Sequence, residues 1–241
     1  MIEKIACPVC GGDSFTHLFT KQDESFVCCD ECQLVLINPR PNFTQVADTY
    51  DGAYSEHYIK KADKKLNRCA KWVRRLQRQF GQGGRWLDVG CSAGFVVLAA
   101  QRAGFDAYGV ELEAGAVAYA KQSLGLKQVN VGTLEEQAYP DEYFDVISLY
   151  DVIEHVPDLN AVVSELSRLV KPGGVIEIRT PDVAHWQTPN DLSTWKEVKP
   201  SEHLYYFSAQ TLEKLFTNNK LVLLKRRLMF KPALDMFFTR A

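Results

Sequence analysis

Trp86-Leu87-Asp88-Val89-Gly90-Cys91-Ser92-Ala93-Gly94-Phe95 runs from an apolar strand through a turn of small residues into the start of a helix. Glycines in such a turn let the backbone bend sharply and come close to a ligand. The spacing is Gly-x-x-x-Gly, whereas a dinucleotide fold shows Gly-x-Gly-x-x-Gly, so the turn points to a smaller nucleoside cofactor. Seventeen residues after Gly94, Tyr108-Gly109-Val110-Glu111 ends a second strand on a carboxylate that can accept bonds from both ribose hydroxyls. Glycine turns and lone glutamates are each common; it is their pairing that carries information.

Outward from the turn, strand-like and helix-like segments alternate: 85–89 then 95–102, 107–111 then 114–124, 129–131, 144–150 then 159–170, and 175–180. This alternation predicts an α/β protein built of right-handed βαβ units, its parallel sheet covered on both faces. A polar insertion over 181–207 precedes a helix over 209–217, and the runs 221–228 and 234–239 are close enough to form a hairpin. Upstream, Leu66, Cys69, Ala70, Val73, Leu76 and Phe80 recur at helical spacing over 62–80, opposite Lys61, Lys64, Lys65, Arg68, Lys71, Arg75 and Arg78. Prolines at Asn38-Pro39-Arg40-Pro41 mark a boundary. The organisation is therefore a small module over 1–40, a helical linker or lid over 41–80 and a catalytic domain over 81–241. Tyr50 and Tyr54 in the linker either pack against that domain or close over the ligand.

Four elements in order, namely the glycine turn, Glu111, Phe144-Asp145-Val146-Ile147 leading to Asp151-Val152-Ile153-Glu154-His155-Val156, and Leu169-Val170-Lys171-Pro172-Gly173-Gly174, resemble the class I S-adenosylmethionine-dependent methyltransferases. The likeness covers about residues 85–218. It is strongest to the small-molecule branch that includes quinone-biosynthesis O-methyltransferases and sugar C-methyltransferases. It implies a Rossmann-like seven-stranded sheet and S-adenosylmethionine as cofactor. By the same resemblance Asp88, Gly90, Cys91 and Gly94 shape the pocket for the methionine half, Glu111 holds the ribose and Leu112 packs on the adenine. Thr133 or the Leu134 backbone stands where the family often reads the adenine amine with an Asp, and Tyr150 lines the pocket.

Cys7-Pro8-Val9-Cys10 and Cys29-Asp30-Glu31-Cys32 enclose eighteen residues, the arrangement of two knuckles giving four thiolates to one zinc ion, so the module over 1–40 is expected to be a zinc ribbon. A segment of about forty residues rarely buries enough core to fold unaided, and a structural metal supplies the missing free energy. Cys28 competes as a ligand, but Cys29 keeps the cleaner spacing. With four protein ligands the ion is structural, and its removal is expected to unfold this module while leaving the cofactor domain folded.

A methyl carried on a sulfonium is already activated, so the protein has to align the reactants and remove a proton. His155 and His203 both fall in loops at the C-terminal edge of the sheet, the expected ligand crevice. Glu202-His203-Leu204-Tyr205-Tyr206-Phe207 resembles the Glu-His pair of sugar C-methyltransferases, which makes His203, supported by Glu202, the expected general base and His155 its rival.

A net charge of −2 and 46% hydrophobic content describe an ordinary globular chain, with no apolar run able to span a bilayer and no secretory leader. Cytoplasmic location and a small-molecule partner follow, without a membrane, and no feature selects an oligomeric state. A polar acceptor such as a sugar or glycan is preferred. Nine basic residues against one acid between Lys60 and Arg78 keep RNA methylation as the second reading, although the Asn/Asp-Pro-Pro-aromatic motif of many base-modifying enzymes is absent. A cofactor-binding regulator without catalysis is the third.

Overall fold

The computed structural model describes residues 2–41, 61–81 and 83–240, so Tyr50 and Tyr54 lie outside the described residues. The N-terminal segment forms β1 (Ile2–Glu3), β2 (Phe15–Lys21), β3 (Glu24–Cys29), β4 (Val35–Ile37) and β5 (Arg40–Pro41). Strands β2, β3 and β4 are antiparallel neighbours, and β1 pairs with β5. Helix α1 (Ala62–Phe80) follows, burying Cys69, Val73 and Leu76 as its apolar spacing requires.

Then come β6 (Arg85–Val89), α2 (Phe95–Arg102), β7 (Asp106–Glu111), α3 (Ala114–Gln122), β8 (Val129–Val131), β9 (Phe144–Tyr150), α4 (Leu159–Leu169) and β10 (Val170–Pro181). After the insertion lie β11 (Tyr205–Tyr206), α5 (Ala209–Asn218), β12 (Leu221–Arg226) and β13 (Ala233–Arg240). Seven strands form one sheet in the order β12-β13-β10-β9-β6-β7-β8. β13 alone runs against the direction of the other six strands, because the hairpin inserts it between β12 and β10. This is the seven-stranded α/β sheet expected of the sequence. No helix among the described residues is long and apolar enough to cross a membrane.

Helices α1 and α2 cover one face, over Trp86, Val146, Val175 and Phe237. On the other face α4 and α5 share a continuous core with the ribbon residues Cys7, Val9, Leu34 and Leu36. The ribbon also adds a strand from the insertion: β11 pairs antiparallel with β4, giving a second sheet ordered β11-β4-β3-β2.

Beneath α1 the sheet carries a row of polar side chains. Trp86 Nε1 donates to Ser148 Oγ (2.9 Å), which donates to Asp88 Oδ1 (2.5 Å). Tyr150 donates to Glu177 (2.5 Å), which also pairs with Arg179 and Arg75 (2.7 Å each). Asp235 completes the row with Arg179 (3.3 Å) and Arg227. Arg75, expected on the solvated face of its helix, thus reaches over the edge of α1 to a fully buried carboxylate. The Arg179 guanidinium lies 4.2 Å from the centre of the Trp72 ring and 4.7 Å from that of Tyr150, cation–π contacts that seat α1 on the sheet. Glu177→Ala leaves Arg179 buried with half its partners; urea unfolding is expected to show a loss of about 3–5 kcal/mol. A loss below 1 kcal/mol would mean that the row does not hold α1 in place.

Candidate functional site

The turn after β6 is built for close approach. Gly90 (φ +66°) and Gly94 (φ +78°) are left-handed, a conformation that disfavours any side chain. A Cβ at Gly90 would lie 2.4 Å from Val152, and one at Gly94 would lie 2.6 Å from Leu126, so both positions also need the missing side chain. The Gly90 and Cys91 amides both donate to the Val110 carbonyl (2.8 and 3.0 Å), which ties the turn to the end of β7.

There the Glu111 carboxylate accepts the amides of Ser92 (2.7 Å), Leu112 (2.7 Å) and Glu113 (3.0 Å), fixing a half-buried acid against the turn. Leu112 beside it is exposed, as is Val131 at the end of β8, so both offer apolar surface at the strand ends. Asp88 is buried behind the turn, and burial pushes its carboxyl up to about 7 against the opposing effect of the Ser148 bond.

Other expected positions sit differently. The Cys91 side chain turns into the core, and burial pushes its thiol well up, leaving only its backbone at the turn. Leu134 is buried in the core. Thr133 joins a reciprocal cap: its amide donates to Glu136 (2.8 Å) and its hydroxyl accepts the Glu136 amide (3.3 Å). The Tyr150 hydroxyl is engaged by Glu177, and its ring lies 5.0 Å from Trp72.

Val152, the residue against Gly90, opens the segment that carries Glu154 and His155. The insertion brings His203 to them. The two imidazoles meet edge to face at 4.6 Å, and ligand atoms of Glu154, His155 and His203 lie within 4.8 Å of one another, a set that could also hold a cation. His155 Nδ1 donates to the Glu202 carbonyl (2.8 Å), so its Nε2 carries the lone pair. Glu154 Oε2 accepts from Thr180 (2.9 Å), while its Oε1 and His203 Nδ1 are buried without a partner.

Burial pushes His203 down to about 3, helped by the neighbouring His155 and Lys199, and burial lowers His155 too. Burial and then Asp151 push Glu154 up to about 8. The Glu202 side chain, expected to support His203, points to solvent; its carbonyl orients His155 instead. Adjacent residues in this turn face opposite ways, so the acid and the imidazole diverge. Sequence reasoning passed over Glu154, although an acid between the apolar Ile153 and the imidazole of His155 was a usable signal.

The four ribbon cysteines converge within 4.8 Å, as the thiols Cys7–Cys32 (3.5 Å) and Cys10–Cys29 (3.4 Å). A tetrahedral zinc with thiolate bonds of about 2.3 Å separates its sulfurs by about 3.8 Å, so the donor set fits one ion with little movement. No disulfide joins them, and Cys28 donates elsewhere, to Gln33. Burial pushes the Cys32 thiol up to about 11, and a bound cation would favour the thiolate.

Residues 54–225 match the family described as "Methyltransferase domain". Ubiquinone biosynthesis O-methyltransferase of Methylococcus capsulatus is 33% identical over 121 residues, 45% of this chain and 50% of that protein. The chain thus spans about half the length of the curated relatives it matches. Among solved structures, a TehB-like SAM-dependent methyltransferase from Corynebacterium glutamicum superposes with a TM-score of 0.59 at 18% identity, covering 79% of this chain and all of the other. Magnesium protoporphyrin IX methyltransferase from Synechocystis, solved with bound SAM, gives 0.52 at 15% identity over 83% of this chain and 89% of its own. These structural likenesses speak for the fold. Together with the family match and the glycine turn facing Glu111, they show that this chain belongs to the methyltransferase-domain family of class I S-adenosylmethionine-dependent enzymes.

Proposed function

We propose that this protein transfers a methyl group from S-adenosylmethionine to an oxygen of a small polar acceptor. What carries the proposal is the cluster of Glu154, His155 and His203, two imidazoles and a carboxyl on the segment that Val152 ties to the glycine turn. The similarity to O-methyltransferases favours oxygen as the acceptor atom, and the polar cluster suits a sugar or glycan hydroxyl. Four closely packed thiols suit a reducing, cytoplasmic setting.

Gly90, Gly94 and the Cys91 backbone cradle the methionine half, the Glu111 carboxylate exchanges its own amide partners for the ribose hydroxyls, and Leu112 offers an apolar face to the adenine. Thr133 and the Leu134 backbone border the adenine site, with Tyr150 and Asp88 as fixed walls. When bound, the cofactor supplies a methyl already activated on sulfur. His203 Nδ1 takes the acceptor proton, with the uncharged Glu154 carboxyl beside it as a hydrogen-bonding partner for the acceptor. His155, held in one tautomer by the Glu202 carbonyl, orients the acceptor through Nε2.

Isothermal calorimetry is expected to show micromolar binding of S-adenosylmethionine or its demethylated product, with Glu111→Ala weakening it by about 1.5–3 kcal/mol. Wild-type protein that binds neither would defeat the cofactor assignment.

His203→Ala is expected to lower turnover by roughly 10²–10⁴-fold with cofactor affinity nearly unchanged. A base must be unprotonated, and burial sets His203 near 3 in the folded protein, below its ordinary value of 6.5. The rate should therefore stay flat as pH falls through 6. An acid limb near 6.5 in kcat/KM would assign the proton to a solvated group instead.

We assign one zinc per chain to Cys7, Cys10, Cys29 and Cys32, a structural ion that elemental analysis should find and Cys29→Ser should abolish. Because the ribbon shares its core with α4 and α5, chelation should lower the thermal midpoint of the whole chain rather than melt a separate module. Metal-free protein of unchanged midpoint would rule the ion out.

A further inference from the structure

The insertion that carries His203 has little regular structure of its own, and its backbone is held from outside. Lys21, at the end of β2, donates from Nζ to the carbonyls of Ser193 and Val198 (3.2 Å each). Glu24, at the start of β3, accepts both the amide (2.7 Å) and the hydroxyl (2.6 Å) of Ser201. Ser201 is left-handed at φ +63°, a costly conformation for a residue with a side chain, and it lies two positions before His203. The Ile37 amide donates to the Leu204 carbonyl (3.0 Å), and β4 continues the pairing at Tyr205 and Tyr206.

Beneath these bonds Phe26, Val35 and Ile37 of the ribbon pack with Trp195, Val198 and Tyr206 of the insertion. On its other side the same strand is fixed to the catalytic segment, where the Leu204 amide donates to the Glu154 carbonyl (2.9 Å). The ribbon thus grips the insertion at 193, 198, 201 and 204–206, and His203 is enclosed by these attachments.

We infer that Lys21 and Glu24 are positioning residues for the reaction: through the 193–206 insertion, the cysteine ribbon sets the place of His203 and of the Glu202 carbonyl that orients His155. The ribbon is in this sense part of the active site without touching it. Lys21 neutralises the carbonyl dipoles of Ser193 and Val198, and Glu24 stabilises the one strained residue of the turn. Neither residue has a partner in the cofactor site, so their loss should leave cofactor binding alone.

The inference rests on the proposed role of His203 only for its catalytic meaning, and the measurement is independent of that role. In the full-length protein, hydrogen exchange is followed by mass spectrometry in Lys21→Met/Glu24→Ala. The expected result is exchange over 199–206 faster by about 10-fold or more, the effect of losing charge-assisted bonds at a local opening. Exchange over β6 and β9 and affinity for S-adenosylmethionine should not change, and diethylpyrocarbonate should label His203 faster. Lys21→Arg/Glu24→Gln, which keeps a donor and an acceptor in place, should restore slow exchange and slow labelling. Unchanged exchange over 199–206 in the first variant would overturn the inference, and so would equal acceleration in β6 and β9. An unchanged turnover in His203→Ala would remove the base and leave the exchange result standing.

Discussion

The left-handed bend at Gly90 is the constraint on which the remaining geometry depends. It brings the Gly90 and Cys91 amides onto the Val110 carbonyl, which aligns the ends of β6 and β7 and sets the Glu111 carboxylate against the turn. The space where a Cβ would stand is occupied by Val152, so the segment leading to Glu154 and His155 is placed by the same absence of a side chain. The glycine turn and the segment leading to Glu154 and His155 are thereby joined through a single backbone conformation.

Electrostatics divides the molecule into two regimes. Under α1, charges are buried and compensated: Glu177 and Asp235 face Arg75, Arg179 and Arg227, an arrangement that tolerates no missing member. At the crevice, polar atoms are buried and kept uncharged, with Glu154 pushed up and both histidines pushed down by desolvation. Orphaned Oε1 and Nδ1 atoms cost free energy in the resting protein, which a polar ligand entering between them would recover.

Much of the sheet was legible in the sequence because each of its strands and helices buries one apolar face locally. The segments 62–80, 85–89, 95–102, 129–131 and 144–150 coincide with α1, β6, α2, β8 and β9. Glu177, Arg179 and Asp235 drew no separate reading within the strand-like runs 175–180 and 234–239, since the partners that make their burial tolerable come from α1 and the hairpin, far along the chain. Strand β11 has only two residues, too few for any periodicity, and its partner β4 lies some 170 residues earlier. For the same reason the ribbon looked self-contained. Glu202 was misjudged because sequence adjacency to His203 says nothing of direction in a turn.

That long-range pairing bears on how the chain is made. Bonds from Lys21 to Ser193 and from Glu24 to Ser201 span 172 and 177 residues, and Asn218 reaches back 209 residues to the Val9 carbonyl. Residues 1–40 leave the ribosome long before any of these partners exist, so the ribbon must wait through the synthesis of everything between β4 and β11 with β4 as an open edge. Early capture of an ion by the four thiolates would close the nascent ribbon on itself and keep that edge from pairing with another chain until β11 emerges to cover it.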